Sequence, residues 1–101
     1  MPSSPVTLVN VLKIESGSCQ ELVSLLRHNI ENVICGLPGW KGTRLIATID
    51  GHSVVIYSEW ETLAAVEAMR AAPRMQAYFP RIRALASIDS MAGEEVFVQN
   101  P

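Results

Sequence analysis

Three side chains stand where purely apolar residues are expected, and they are the first candidates for chemistry. Asn10 interrupts the apolar face of a strand pattern, and Asn29 lies in the middle of an apolar helix stripe. A buried amide without a partner costs roughly 1–3 kcal/mol, so each needs either a local hydrogen bond or a ligand. Trp60 stands where a strand turns into a helix. Its ring either plugs the core, with the indole N–H satisfied locally, or borders a ligand cavity.

The sequence lacks the motifs of metal, phosphate and acyl-transfer sites. No HxxxH or CxxC spacing, GxSxG sequence or phosphate-binding glycine loop occurs. The two histidines, His28 and His52, both fit surface positions, so we predict no metal site. Arg81 is a further candidate, since it either reaches the mouth of a cavity or lies in solvent.

The strand that carries Asn10 is predicted over residues 6–14, with apolar residues on both faces. Ser18 and Glu21 fit a capping box, which predicts a helix from there to about Ile34. Residues 1–5 form a Pro/Ser-rich lead-in that we predict to be disordered. Residues 6–101 are predicted to form one domain.

A β-hairpin is predicted around Asp50-Gly51, between strands over residues 40–49 and 52–60. A two-residue type I′ turn there would pair Leu45 with Ile56 and Lys41 with Trp60. A helix pattern follows over residues 61–72, then short helical turns to about Leu85, and a last strand over residues 95–99. The order βαββαβ predicts an α+β, ferredoxin-like fold, in which a four-stranded antiparallel sheet has helices on one face only.

Composition narrows the classes of function. The chain has 101 residues, of which 49% are apolar, more than one small core hides, so a homodimer through the open sheet face is expected. The net charge of −2 and the lack of a Lys/Arg cluster argue against nucleic-acid binding. No apolar run reaches the length of about eighteen residues that spans a membrane. Cys19 and Cys35 flank the first helix, too far apart for a disulfide, which fits a cytoplasmic protein.

Several short motifs together resemble one family. Pro38-Gly39-Trp40, the Asp50-Gly51 hairpin, and the run from Val54 to Thr62 before an alanine-rich helix are similar to the antibiotic biosynthesis monooxygenase family, over residues 6–98. The closest motifs are those of the cofactor-independent polyketide anthrone oxygenases. The resemblance implies a dimeric α+β barrel. It also implies a monooxygenase that oxidises a small electron-rich aromatic (an anthrone, phenol or quinol) with O₂ in an apolar cavity, without metal, haem or flavin.

The resemblance also implies roles for particular residues. Asn10 and Trp60 take the catalytic roles, as hydrogen-bond donors to the developing phenolate. The residues expected to bind the substrate are Leu8, Asn29, Ile56, Met69, Phe79 and Arg81. Ile56 replaces the pocket asparagine of the polyketide oxygenases, and Met69 and Phe79 replace the haem-contacting residues of the haem-degrading branch. These apolar replacements favour an alternative, a non-catalytic dimeric binding or accessory protein of the same fold.

Overall fold

The computed structural model describes residues 5–15 and 17–101, so the predicted lead-in lies outside the described residues except for Pro5. The strands are β1 (Val6–Ile14), β2 (Trp40–Ala47), β3 (Ser53–Trp60) and β4 (Ala86–Gly93). The helices are α1 (Cys19–Asn32), α2 (Leu63–Ala71), α3 (Pro73–Gln76) and α4 (Phe79–Arg83), and a 3₁₀ turn covers Ile34–Gly36.

The strands form one antiparallel sheet in the order β2-β3-β1-β4, which confirms the predicted ferredoxin-like class. β1 is central, and Asn10 pairs with Ile56 of β3 on one side and Ser90 of β4 on the other. The helices cover one face only, where Leu8 is buried. On the opposite, open face, Ile46 and Met91 are 51% and 59% exposed. Because β2 and β4 are both edge strands, the sheet of one chain does not close into a barrel.

The hairpin keeps most of its predicted register but has a different turn. Leu45 pairs with Ile56 as expected, whereas Trp60 pairs with Trp40 rather than Lys41, because the register shifts between Trp40 and Gly42. Residues 49–52 form a longer loop. A positive φ occurs at Gly51 (76°) but not at Asp50, so the predicted type I′ turn is wrong.

Local hydrogen bonds account for this longer loop. Oδ1 of Asp50 accepts from the His52 backbone N–H (2.9 Å) and from the Thr48 hydroxyl (2.7 Å). These two bonds lower the pKa of the Asp50 carboxyl, and the bond from His52 has the larger effect. Aspartate favours such side-chain-to-backbone turns, and here they take precedence over the two-residue connection.

The last strand lies earlier in the chain than predicted. Strand β4 pairs with β1 from Ala86 opposite Ile14 to Gly93 opposite Thr7, while residues 94–101 form no strand, so the prediction of a strand over residues 95–99 is wrong. The Ser and Asp residues of β4 have weak strand propensity, and antiparallel pairing along the whole of β1 overrides it. This register places Ser90 of β4 directly beside Asn10 of β1.

The second half of the chain follows its helix signals. The Thr62 hydroxyl caps α2 by accepting from the Ala65 backbone N–H (3.0 Å). Pro73 ends α2 and opens α3, where its missing N–H costs nothing. These short helices pack over the sheet in two core clusters, one centred on Trp60 and one on Leu12 and Leu22.

Gly39 brings the start of β2 into close contact with α2. It has φ = +85°, and a Cβ built there would lie 2.6 Å from the Cβ of Ala65. The Gly39 carbonyl also accepts from the backbone N–H of Glu61 (2.8 Å). The Pro38-Gly39-Trp40 motif is therefore explained by backbone geometry and packing.

Candidate functional site

A partly open cleft of about 660 Å³ lies between the sheet and the shorter helices. Its sheet side comes from β1 and β4, and its helix side comes from the ends of α2, α3 and α4. The lining residues are Asn10, Glu15, Arg70, Gln76, Phe79, Arg83, Ala86, Ser87, Ile88 and Ser90. Its volume is in the range that holds small organic ligands. We refer to it as the β4 cleft.

Asn10 is the central polar group on the sheet side of the β4 cleft. It lies on the helix-covered face of β1, half-buried, with Ile56 and Ser90 as its strand neighbours. Within the described part of the chain, its carboxamide has no side-chain hydrogen bond. Its donor and acceptor are therefore available to a ligand.

Arg70 brings a positive charge to the same space from α2. Its Nη2 donates to the Ser90 hydroxyl (3.2 Å), which ties the helix to β4 across the cleft. The Gln76 side chain donates to the Arg70 backbone carbonyl (2.7 Å) and so holds the end of α2. Arg70 forms no ion pair with any described residue, and the guanidinium has further N–H groups for an anion.

Phe79 and Arg83 of α4 complete the helix side. The Arg83 guanidinium carbon lies 5.7 Å from the centroid of the Phe79 ring, a cation–π arrangement. Glu15 is the only acidic side chain among the residues that line the cleft. Two guanidinium groups against one carboxylate favour an anionic ligand, and Phe79 and Ile88 give an aromatic ring apolar surface to contact.

Trp60 does not border this cleft. It is 1% exposed and packs in the core with Val66, Met69 and Met75. Its indole N–H donates to the Ser58 hydroxyl (3.1 Å), which in turn is 3.5 Å from the Leu8 carbonyl. Because the indole N–H has this partner within the core, Trp60 fits the alternative in which its ring plugs the core.

The other predicted binding residues are divided between core and cleft. Phe79 lines the β4 cleft together with Asn10. Leu8 and Met69 are buried in the Trp60 cluster, and Ile56 is half-buried against the second core cluster. Asn29 is 3% exposed, and its amide donates to the Met75 sulfur (3.3 Å). The Asn29 amide therefore has a partner within the protein. This was the alternative to a ligand that its position in the helix stripe left open.

Arg81 lies on the other side of α4. It lines a separate cleft of about 570 Å³ with Glu21, Ser24 and His28, and its guanidinium carbon is 5.3 Å from the centroid of the Tyr78 ring. The Tyr78 hydroxyl is 2.7 Å from Nδ1 of His28, which joins α1 to the segment before α4. Arg81 and Asn10 therefore line different clefts.

Sequence reasoning missed eight of the ten cleft residues, among them Arg70, Gln76, Arg83 and Ser90. The arginines fit a solvated helix face by sequence alone, and Ser90 lay in a segment taken for a connection. The usable signal was the alternation Ala86, Ile88, Ser90, which places a small polar side chain beside Asn10 once β4 pairs with β1.

Clustered metal-ligating side chains are absent from the part of the chain that the structure describes. Among residues 5–15 and 17–101, no group of three or more His, Cys, Asp or Glu side chains could hold a metal ion. Within the same ranges, no helix is both long and apolar enough to cross a membrane. The β4 cleft offers amide, hydroxyl and guanidinium donors, which can bind an anion and stabilise charge on oxygen.

The fold and the β4 cleft together place the chain in one structural class, the ferredoxin-like α+β domains with a cleft of small-ligand size between sheet and helices. The sequence model of the family "Antibiotic biosynthesis monooxygenase" matches residues 5–81, so the chain belongs to this family, as its motifs indicate. The Tetracenomycin-F1 monooxygenase of Streptomyces glaucescens is 34% identical over 80 residues, which cover 79% of this chain and 71% of that protein.

Solved structures show the same fold. SnoaB, a cofactor-independent oxygenase from Streptomyces nogalater, superimposes with a TM-score of 0.88 at 21% identity, covering 95% of this chain and 97% of SnoaB. Rv0793 from Mycobacterium tuberculosis gives a TM-score of 0.82 at 17% identity, covering 96% of this chain and all (100%) of that chain. At these identities the likeness establishes architecture, and the chemistry must be argued from the cleft.

Proposed function

We propose that this protein is a cofactor-independent monooxygenase that oxidises a small electron-rich aromatic, an anthrone, phenol or quinol, with O₂ in the β4 cleft. The observation that carries the proposal is the Asn10 carboxamide, which has no hydrogen-bond partner among the described residues and lines the same cleft as Arg70. Membership of the monooxygenase family supports the reaction class.

The proposed chemistry needs an aromatic anion that is held away from bulk water. Loss of a proton leaves a phenolate or enolate, which transfers one electron to O₂ and gives a substrate radical and superoxide. The two combine to form a C–O bond. The resulting peroxide takes up a proton from solvent. For an anthrone methylene, loss of the second C–H proton with cleavage of the O–O bond then leaves a carbonyl, and the outer oxygen leaves as hydroxide, which is protonated to water.

The cleft residues have separate roles in this scheme. Asn10 donates its amide N–H to the substrate oxygen, and Arg70 stabilises the negative charge there, with Ser90 fixing the guanidinium. Phe79 and Ile88 contact the aromatic ring and exclude water from one side of it. Trp60 acts through the core, since its indole N–H donates to Ser58 and its side chain does not line the cleft.

Replacing Asn10 with alanine is expected to lower kcat for O₂ uptake about tenfold, because one donor to the developing anion is lost in a partly open site. Oxygen consumption with a panel of anthrones and quinols, without added metal, measures this. The matched control is Asn32→Ala, an exposed amide on α1 that donates to the His28 carbonyl and is not among the residues that line the cleft. Equal loss in both variants, or unchanged kcat in Asn10→Ala, would contradict the assigned role.

A second candidate is a non-catalytic binding or accessory protein. The filled core beneath Trp60 favours it, since Leu8 and Met69 close the space in which a deeper cavity would lie. Tight binding of an aromatic without oxygen uptake on any panel member would support this candidate over the enzyme.

We further propose that the protein is a homodimer through the open sheet face. Val9, Val11 and Val55 on that face are only half-buried, and Ile46 is 51% exposed beside them. The register places Ile46, Val55 and Val11 side by side, so two copies can pack sheet against sheet.

Ile46→Lys is expected to shift the dimer to monomer, because it places a charge in the interface while the residue stays solvated in the single chain. Sedimentation equilibrium measures the mass, and circular dichroism checks that the fold is kept. A dimer of unchanged affinity would exclude this face.

A further inference from the structure

Arg83 is the second arginine of the β4 cleft and takes no part in the chemistry proposed for Asn10 and Arg70. It is the last residue of α4, and its guanidinium carbon lies 5.7 Å from the centroid of the half-buried Phe79 ring. Within residues 5–15 and 17–101, the Arg83 side chain has no ion pair and no hydrogen bond. Its N–H donors are therefore available to an anionic group of a ligand.

We propose that Arg83 is a specificity-determining residue, which selects an aromatic substrate that carries a carboxylate in addition to its reacting oxygen. The inference rests on the proposed function, because it takes the ligand of the β4 cleft to be the substrate. Asn10 and Arg70 then bind the oxygen that becomes negatively charged during the reaction. Arg83 binds the carboxylate, which is charged throughout.

The two arginines of the cleft have different anchors. Arg70 comes from α2 and donates to the Ser90 hydroxyl (3.2 Å), beside Asn10 in the sheet. Arg83 comes from the end of α4 and lies against Phe79. The β4 wall between Ser90 and Ala86 is about 13 Å long, at about 3.3 Å per residue, so a fused ring system with two polar groups can lie along it. Two separately anchored cations favour a ligand with two anionic groups.

The charges and shapes of the cleft residues favour a carboxylate as the second group. Glu15 is the only acidic side chain in the lining, and it lies beyond ion-pair distance of both arginines. A guanidinium presents parallel N–H donors that match the two oxygens of a planar carboxylate. A carboxylate on the edge of an aromatic ring can therefore meet Arg83 while the ring contacts Phe79 and Ile88.

Two unreactive probes separate the contribution of the carboxylate from that of the rings. Anthraquinone-2-carboxylate and anthraquinone-2-carboxamide share their rings and nearly their shape, and neither has an oxidisable hydroxyl or methylene. In isothermal titration calorimetry, the unaltered protein is expected to bind the carboxylate at least about tenfold more tightly, because its bond to a guanidinium is charge-assisted. Equal dissociation constants for the two probes would overturn the proposal.

Arg83→Gln is expected to abolish this preference for the carboxylate. The matched control is Arg81→Gln, which removes the same charge from the same helix. The Arg81 guanidinium carbon also lies near an aromatic ring, 5.3 Å from the centroid of Tyr78, but it lines the separate cleft with His28. The control is expected to keep the preference. Equal loss in both variants would assign it to net charge, and an unchanged preference in Arg83→Gln would assign it to another group, so either result would overturn the proposal.

Steady-state kinetics distinguish the carboxylate site from the oxidation itself. With a carboxylated anthrone, Arg83→Gln is expected to raise KM for oxygen uptake about tenfold and to leave kcat unchanged, because the carboxylate is bound equally in the ground and transition states. A lower kcat with unchanged KM would overturn the assigned role. A carboxylate preference that depends on Arg83, without oxygen uptake on any anthrone, would support the carboxylate site and contradict the proposed oxidation alone.

Discussion

Replacing Trp60 with alanine is expected to lower the free energy of unfolding by about 3–5 kcal/mol. The ring is 1% exposed and packs between the sheet and residues of α2 and α3, so its removal leaves a cavity that the surrounding elements cannot fill. The Ser58 hydroxyl also loses the hydrogen bond that it accepts from the indole N–H. Chemical denaturation followed by circular dichroism measures the change.

Two further variants separate the ring from its N–H group. Trp60→Phe keeps most of the aromatic surface and removes the bond to Ser58, so the expected loss is only about 1–2 kcal/mol. Trp40→Ala removes a half-buried tryptophan with its own bond to Thr43 (2.8 Å) and should cost less than Trp60→Ala. A Trp60→Phe protein with unaltered stability but no oxygen uptake would instead place the indole N–H in the chemistry.

Replacing Gly39 with alanine is expected to destabilise the protein by about 2–4 kcal/mol, the sum of two independent costs. An L side chain is strained at φ = +85°, and its Cβ would lie 2.6 Å from that of Ala65. The control is Gly42→Ala, where a built Cβ meets nothing within 4 Å and φ is not positive. Denaturant midpoints for the two variants should differ clearly.

A double-mutant cycle assigns the two costs of Gly39→Ala. Adding Ala65→Gly removes the atom that clashes but leaves the backbone strain, so the double variant should recover only the packing part. If Ala65→Gly restores nothing, the close approach of β2 to α2 is not the source of the loss.

The fold was largely predictable because its strongest signals are local. β1, α1 and the hairpin strands follow from apolar periodicity and from turn residues such as Gly51. β4 was missed because Ser87, Asp89 and Ser90 have weak strand propensity, and the strand depends on pairing with the distant β1. The hairpin turn was missed because the hydrogen bonds that the Asp50 carboxylate accepts from Thr48 and His52 select the longer loop.

The candidate site was less predictable than the fold. The interrupted apolar face drew attention to Asn10, which lines the β4 cleft. The same reasoning could not place Asn29, because its partner Met75 is 46 residues away along the chain. Arg70 and Arg83 gave no signal, since whether an arginine on an amphipathic helix borders solvent or a cleft depends on how the helices sit on the sheet.

Strand β4 lies at the edge of the sheet and forms one wall of the cleft, so this wall can change in evolution separately from the core. Ala86 is the only buried residue of β4, whereas Ser87 and Ser90, which line the cleft, are exposed and carry little of the core. Substitutions at such positions usually change stability by less than about 0.5 kcal/mol. Mutation can therefore reshape one wall of the cleft while the Trp60 core stays intact. Variants that bind new ligands can thus arise in evolution without losing the folded state.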